Sequence, residues 1–300
     1  HHANTRPNSS GIKVGGHQAS SASMTSIMTA LYFRHLEAFD QVSVKPHAAP
    51  VLHAINYLLG RLDRRYLTEL RAFGGLQSYP SRSKDPDPVD FSTGSVGIGA
   101  TASVWSAITG RYLADRVTGA SRPRHISILG DAELDEGAIW EAVVDPMVAR
   151  LGEVTWIVDV NRQSLDRVVP DIAARRIEGM FAAAGWHTVT LKYGSRLEAL
   201  FAQSGGTALR RRIDAMTNEE YQHLLRLPDE QVRGELAGTG PAGIEIRAVL
   251  GELTDPEVAT VIRDLGGHNL GDICAALKAA DGVTDRPTVI LAYTIKARRL

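Results

Sequence analysis

The chain has 300 residues, 44% of them hydrophobic and 22% charged, with 33 basic and 34 acidic side chains and a net charge of -1. A near-zero charge gives no global field toward nucleic acid or an anionic membrane, and no apolar run reaches the roughly 18 residues of a membrane span. One cysteine, Cys274, excludes an internal disulfide framework and fits a reducing cytoplasm.

Residues 1–20 are polar, with Gly11, Gly15 and Gly16, and read as an ordered loop or arm. The chain starts without Met and stops just after an apolar run. It therefore reads as a piece of a longer polypeptide, with a split subunit as the alternative. Helical spacing marks 22–38, 49–60 and 64–75, the latter two ending at glycines that suit C-terminal caps. Residues 76–97 read as loop. Residues 98–115 form a Gly/Ala/Ser-rich helix with a face narrow enough for close packing. The period then changes. "HISILG" (125–130), "VTWIVDV" (154–160), "WHTVTL" (186–191) and "TVILAYT" (288–294) are short β-branched runs, with helical stretches at 137–149, 171–184 and 194–204. Strands alternating with helices predict an α/β fold: a doubly wound, mostly parallel sheet with helices on both faces. Residues 205–285 read as mainly helical, with "LAGTGPAGIE" as a flexible break.

Ligands in such sheets bind beyond the carboxyl ends of the strands. Asp131, after Gly130, and Asn161 both fall at such ends. Asp131 offers a hard anionic oxygen, Asn161 a neutral one, and the backbone carbonyl of Gln163 a third donor on the same side. Oxygen ligands with open positions for phosphate oxygens describe a magnesium site that binds through a diphosphate. The competing reading makes Asp131 a helix cap and Asn161 a turn residue. His268 and the Met24, Met28, Tyr32 stripe read as structural.

"GDAELDEGAIWEA" followed by "VNRQSLD" resembles the magnesium–diphosphate motif of thiamine diphosphate enzymes. Together with "GGHQASSASM", "GRLDRRYLTELRAFGGLQSYP", "GMFAAAGWHTVTLKYGSR", "LGGHNL" and "TVILAYTIK", in that order, it resembles the transketolase superfamily. More closely, it resembles the homodimeric-type decarboxylating first component of the pyruvate dehydrogenase complex. The resemblance implies the thiamine diphosphate-binding fold, with residues 1–300 as the diphosphate-binding, N-terminal domain of a longer chain. It implies thiamine diphosphate and magnesium as cofactors. Asp131 and Asn161 would hold the metal through side chains and Gln163 through its carbonyl. Ser20, Val96, Gly130, Asp131, Ala132, Glu133 and Asn161 would contact the cofactor. His17, His47, Tyr79 and Lys296 would face the reacting carbon and the substrate.

The implied reaction is oxidative decarboxylation of a small 2-keto acid, pyruvate foremost, with acyl transfer to a lipoyl-bearing acyltransferase subunit. The implied assembly is a homodimer, with an apolar patch where a further domain packs. The activating glutamate would lie outside these 300 residues. Ala132 stands where the family has Gly, Lys45 where it has Gln, Val96 where it has Met and Tyr293 where it has His. These departures keep two alternatives in play: a transketolase-like two-carbon transfer on sugar phosphates, or a degenerate, non-catalytic homologue.

Overall fold

The computed structural model describes residues 1–7, 15, 17–119, 122–161, 163–164, 167–168 and 171–298, with the backbone alone at 163–164, 167–168 and 171–174. Its strands are β1 (Gln41–Ser43), β2 (His125–Gly130), β3 (Val154–Val160), β4 (Gln163–Ser164), β5 (Arg167–Val168), β6 (His187–Leu191) and β7 (Thr288–Tyr293). Five of them form one all-parallel sheet in the order β1-β2-β3-β7-β6, while β4 and β5 make a small antiparallel pair. The predicted strands stand within a residue or two of their expected ends. The short edge strand β1 was not legible, because three residues give too little periodicity to recognise.

The helices are α1 (His2–Thr5), α2 (Gln18–Ala30, prolonged by a π-helical turn Leu31–His35), α3 (Ala49–Leu58), α4 (Ile98–Ala114), α5 (Gly137–Val143), α6 (Asp171–Ala183), α7 (Ser195–Phe201), α8 (Gly206–Ala215), α9 (Asn218–Leu224), α10 (Asp229–Ala237), α11 (Gly240–Val249), α12 (Asp255–Val261) and α13 (Leu270–Asp281). Strand alternation sends two sets of side chains to opposite faces of the sheet. Ile126, Ile128, Ile157, Ile290 and Ala292 pack against α2, α3 and α13. Leu129, Trp156, Val158, Val289 and Leu291 pack against α4, α5 and α6. The expected double winding is thus present, and the apolar runs are continuous because both faces are covered.

Helices α7 to α12 gather around their own apolar cluster, with Leu209, Leu224, Val232, Leu236 and Leu250 at its centre. The expected break at "LAGTGPAGIE" is instead a tight turn between two helices. Gly238 and Gly240 take positive φ there, and Pro241 sits in the first turn of α11. Proline pre-sets the helical φ and lacks an N–H that would go unpaired at that position, so it starts this helix rather than breaking the chain. Residues 131–135 form a 3-10 turn before α5, which begins at Gly137 as expected but ends at Val143, and the helix expected over 64–75 is only a 3-10 turn at Arg64–Thr68.

The narrow face expected on 98–115 seats α4 close to the sheet. Ser103 Oγ lies 2.5 Å from Ser127 Oγ, and a β-carbon on Gly99 would stand 2.6 Å from Ser43 Oγ. Gly97 caps α4 at φ 75°, where a β-carbon would meet Ile139 at 2.8 Å. Replacing Gly97 by Ala adds left-handed strain to that contact. The expected loss is about 1–3 kcal/mol in urea unfolding; an unchanged midpoint would contradict this packing.

Candidate functional site

Strands β2 and β3 run side by side, with Gly130 paired to Asp159. Their carboxyl ends therefore deliver Asp131 and Asn161 to the same edge of the sheet. Across that edge lie the start of α2 and the loop after β1. Between them opens a cleft of about 700 Å³, lined by His17, Gln18, Ala19, Ser20, Lys45, Pro46, His47, Ser95, Gly130, Asp131, Ala132, Glu133, Glu136, Asn161 and Lys296. Its size suits a small organic ligand.

Most of the residues expected at the site converge here. Tyr79 stands at the edge of the imidazoles, its hydroxyl 3.5 Å from His47 Nε2 and its ring 5.6 Å from that of His47. Val96 is not among the residues lining the cleft: it is 49% exposed, in the turn before α4 next to Ser95, which does line it. Gln163 begins β4 and pairs with Val168; its side chain lies outside the described residues.

His17 and His47 stack with centroids 4.1 Å apart. Arg71 Nη2 lies 2.7 Å from His17 Nε2. Since guanidinium only donates, Nε2 accepts, and His17 carries its proton on Nδ1. Burial lowers the pKa of His17 and the Arg71 charge lowers it further. Burial also lowers His47, helped by His17, Lys45, Lys296 and Arg71, to about 4. Both rings are thus neutral near pH 7; His47 can accept a proton, while the basic nitrogen of His17 is held by Arg71.

Backbone strain gathers around this pair. His17, Arg71 and Ala297 are the non-glycine residues with positive φ among those described. Arg71 bonds His17, and Ala297 N donates to the Ala19 carbonyl at 3.0 Å. Left-handed conformations of this kind cost about 1–3 kcal/mol each and persist where surrounding bonds fix them.

Beneath the cleft lies a residue that sequence reasoning missed. Asp159 is fully buried. Its carboxylate accepts from Ser23 Oγ at 2.7 Å, from Asn161 Nδ2 at 3.1 Å, and from Lys45 and Thr294. Burial pushes this carboxyl up, but the Lys45 ammonium and the Thr294 and Ser23 hydroxyls outweigh burial and hold it low. Nothing marked it in advance, because it sits inside an apolar strand pattern. Arg71 was likewise unmarked within its quoted stretch.

Glu133 turns back along the strand end. Its Oε2 accepts from Gly130 N at 3.0 Å. Burial raises its pKa, and the Gly130 amide and Lys45 partly offset that. The carboxylate thereby shapes the turn that presents Asp131, whose Oδ1 accepts from Ala132 N at 3.0 Å.

A second group of possible metal ligands, His53, Asp85 and Asp87, lies away from the cleft. Its oxygens are already engaged. Asp87 accepts from His53 Nδ1 at 2.9 Å and Asn56 Nδ2 at 2.7 Å. Asp85 accepts from the amides of Gln77 and Ser81. This cluster ties down the 76–97 loop. At the cleft, by contrast, an anionic and a neutral oxygen donor sit on adjacent strand ends beside two lysines. That donor set fits a hard divalent cation carrying a diphosphate.

The chain is similar to proteins of one family. Residues 15–205 match the family described as "Transketolase, thiamine diphosphate binding domain". The chain is 31% identical over 304 aligned residues to the pyruvate dehydrogenase E1 component of Mycobacterium tuberculosis, covering 97% of the chain and 32% of that protein. It is 29% identical to the Escherichia coli protein of the same name, over 95% of the chain and 33% of the relative. The chain thus spans about a third of the length of these relatives. Among solved structures, a transketolase from Leishmania mexicana superposes with a TM-score of 0.61 at 15% identity, over 93% of this chain and 34% of that one. A transketolase from Campylobacter jejuni gives 0.57 at 16%, over 94% and 38%. At that identity the structural likeness shows the fold.

The His47 environment sets a pH dependence. Its folded pKa of about 4 lies below the ordinary 6.5, so the unfolded chain binds the extra proton between those values. Its neutral-state stabilisation is complete above about pH 6.5 and fades as pH falls toward 4. Histidine ring resonances should show His47 still neutral at about pH 5.5. A midpoint near 6.5 would contradict its burial and the cations packed around it.

Proposed function

The chain belongs to the transketolase family of thiamine diphosphate-binding domains, and on that premise we propose that it is the diphosphate-binding domain of a 2-keto acid dehydrogenase first component, acting on pyruvate or a close relative. The observation that carries this reading is the convergence of Asp131 and Asn161 under two stacked, neutral histidines in one cleft. Identity of about 30% with pyruvate dehydrogenase E1 components along nearly the whole chain supports the dehydrogenase over the transketolase alternative. Among the described residues the cations lining the cleft are Lys45 and Lys296.

In this reading Asp131 and Asn161 hold magnesium, with the Gln163 carbonyl as a third ligand, and through the metal hold the diphosphate. The bound cofactor supplies a carbon nucleophile and an electron sink for decarboxylation. The protein's own part is positioning and proton handling. The Asp159 carboxylate takes the Asn161 amide nitrogen, so the Asn161 oxygen faces away from it. Glu133 fixes the Gly130 amide and hence the turn at Asp131. His47 accepts or returns a proton at the reacting end, with His17, held by Arg71, stacked against it. Lys296 and the Tyr79 hydroxyl stabilise the substrate carboxylate and the developing oxyanion. A lipoyl-bearing acyltransferase receives the acyl group, and a cytoplasmic setting is part of the same proposal.

A homodimer belongs to the same proposal. Ile98, Trp105 and Tyr112 recur at seven-residue spacing on the outer face of α4, and are 50%, 44% and 56% exposed. Val144 and Met147, just beyond α5, are exposed as well. Such a stripe supports a covering partner, either a further domain or a second copy.

Two measurements test the proposal. Full-length protein assayed with a dye electron acceptor should turn over pyruvate or another short 2-keto acid and not sugar phosphates; the reverse preference would sink the reading. Asp131→Ala should weaken magnesium-dependent thiamine diphosphate binding at least ~10-fold by calorimetry, with the thermal melt little changed. Separately, Trp105→Asp with Tyr112→Asp should shift sedimentation toward a smaller species. An unchanged coefficient would remove this face from the assembly.

A further inference from the structure

Lys45 is 5% exposed, yet it lines the cleft. Its Nζ lies 4.0 Å from where a β-carbon on Gly130 would stand, at the strand end that presents Asp131. Its carboxylate partner, Asp159, is buried beneath it and has no exposed surface. Two buried charges cost more to desolvate than a neutral hydrogen-bonded pair of similar shape, so packing alone gives no reason for an ion pair here. The geometry gives one. The pair is a fixed dipole with its positive end turned to the cleft and its negative end sealed below. An ammonium has three donors; among the described residues Asp159 takes one. Asp159 also takes the Asn161 amide nitrogen at 3.1 Å. One carboxylate thus orients a cation and a candidate metal ligand together.

We infer that Lys45 binds the diphosphate directly, as a built-in cation beside the magnesium, and that Asp159 is the positioning residue that aims both Lys45 and Asn161. This rests on the reading of the cleft given above. It adds a binding residue that is neither a metal ligand nor part of the histidine pair. It also assigns a use to the Lys that stands where the family has Gln: an anchor for the cofactor rather than a contact for the substrate.

Calorimetry on full-length protein tests this, with thiamine diphosphate and with inorganic pyrophosphate as separate probes, each with magnesium. Lys45→Gln alone leaves Asp159 unpaired and risks misfolding, so the decisive variant is the double Lys45→Gln with Asp159→Asn, which keeps a neutral hydrogen-bonded pair. The expected result is a melt near that of the parent and both probes bound ~10-fold or more weakly. A folded double variant that binds both probes like the parent would overturn the inference and leave the proposed function standing. Pyrophosphate binding that depends on Lys45, with no thiamine diphosphate binding by the parent, would do the opposite. Loss of both probes by the parent would overturn both. Should the double variant fail to fold, a crystal of the parent soaked in magnesium pyrophosphate answers the same question. An oxygen within about 3.2 Å of Lys45 Nζ supports the inference, and a ligand beyond hydrogen-bond reach overturns it.

Discussion

The buried carboxylate of Asp159 is the constraint on which the cleft depends. Its hydrogen bonds reach Ser23 on α2, Lys45 after β1, Asn161 after β3 and Thr294 after β7. Together with the end of β2, those elements surround the cleft. A carboxylate without water must be matched by donors, and removing any one of them leaves charge or lone pairs unsatisfied. Geometry at this point is therefore stiff, and the oxygens that would meet a metal inherit that stiffness.

Around this anchor the charges are arranged by depth. The anion lies below, the lysines face the cavity, and the imidazoles are kept neutral by burial and by the cations nearby. The strained backbone at His17, Arg71 and Ala297 lies on the same side. Arg71 holds His17 through a side-chain bond, and the Ala297 amide holds the start of α2 at Ala19. The strain is thus held in the segments that carry the candidate catalytic groups, and the two-layered core beneath them is regular. Glu133 belongs to the same logic: placed by resemblance along the diphosphate, its carboxylate also does structural service at the Gly130 amide.

Much of this was readable in the sequence for a physical reason. Continuous β-branched runs such as "VTWIVDV" demand burial on both faces, which fixes a parallel sheet and its carboxyl-end site. The Asp131 and Asn161 pair follows from that rule, and the family resemblance supplied the histidines, Tyr79 and Lys296. What stayed hidden depends on long-range pairing. Asp159 reads as one polar letter in an apolar strand, and only the fold brings Lys45 across 114 residues to meet it. β1 was too short to announce itself. Val96 was assigned by position in a motif, whereas in the structure it stands exposed in the turn before α4. The helical turn at 238–241 was mistaken for a break because glycines mark both, and Pro241 was the letter that told them apart.

The central claim is that the cleft at the ends of β2 and β3 holds a divalent metal and, through it, a diphosphate. A crystal structure with thiamine diphosphate and manganese in place of magnesium tests it most directly, since manganese can be located by its anomalous scattering. The account predicts one strong peak between the side-chain oxygens of Asp131 and Asn161, with the diphosphate bound beside Gly130. A peak at His53, Asp85 and Asp87 instead, or cofactor density outside the cleft, would contradict it.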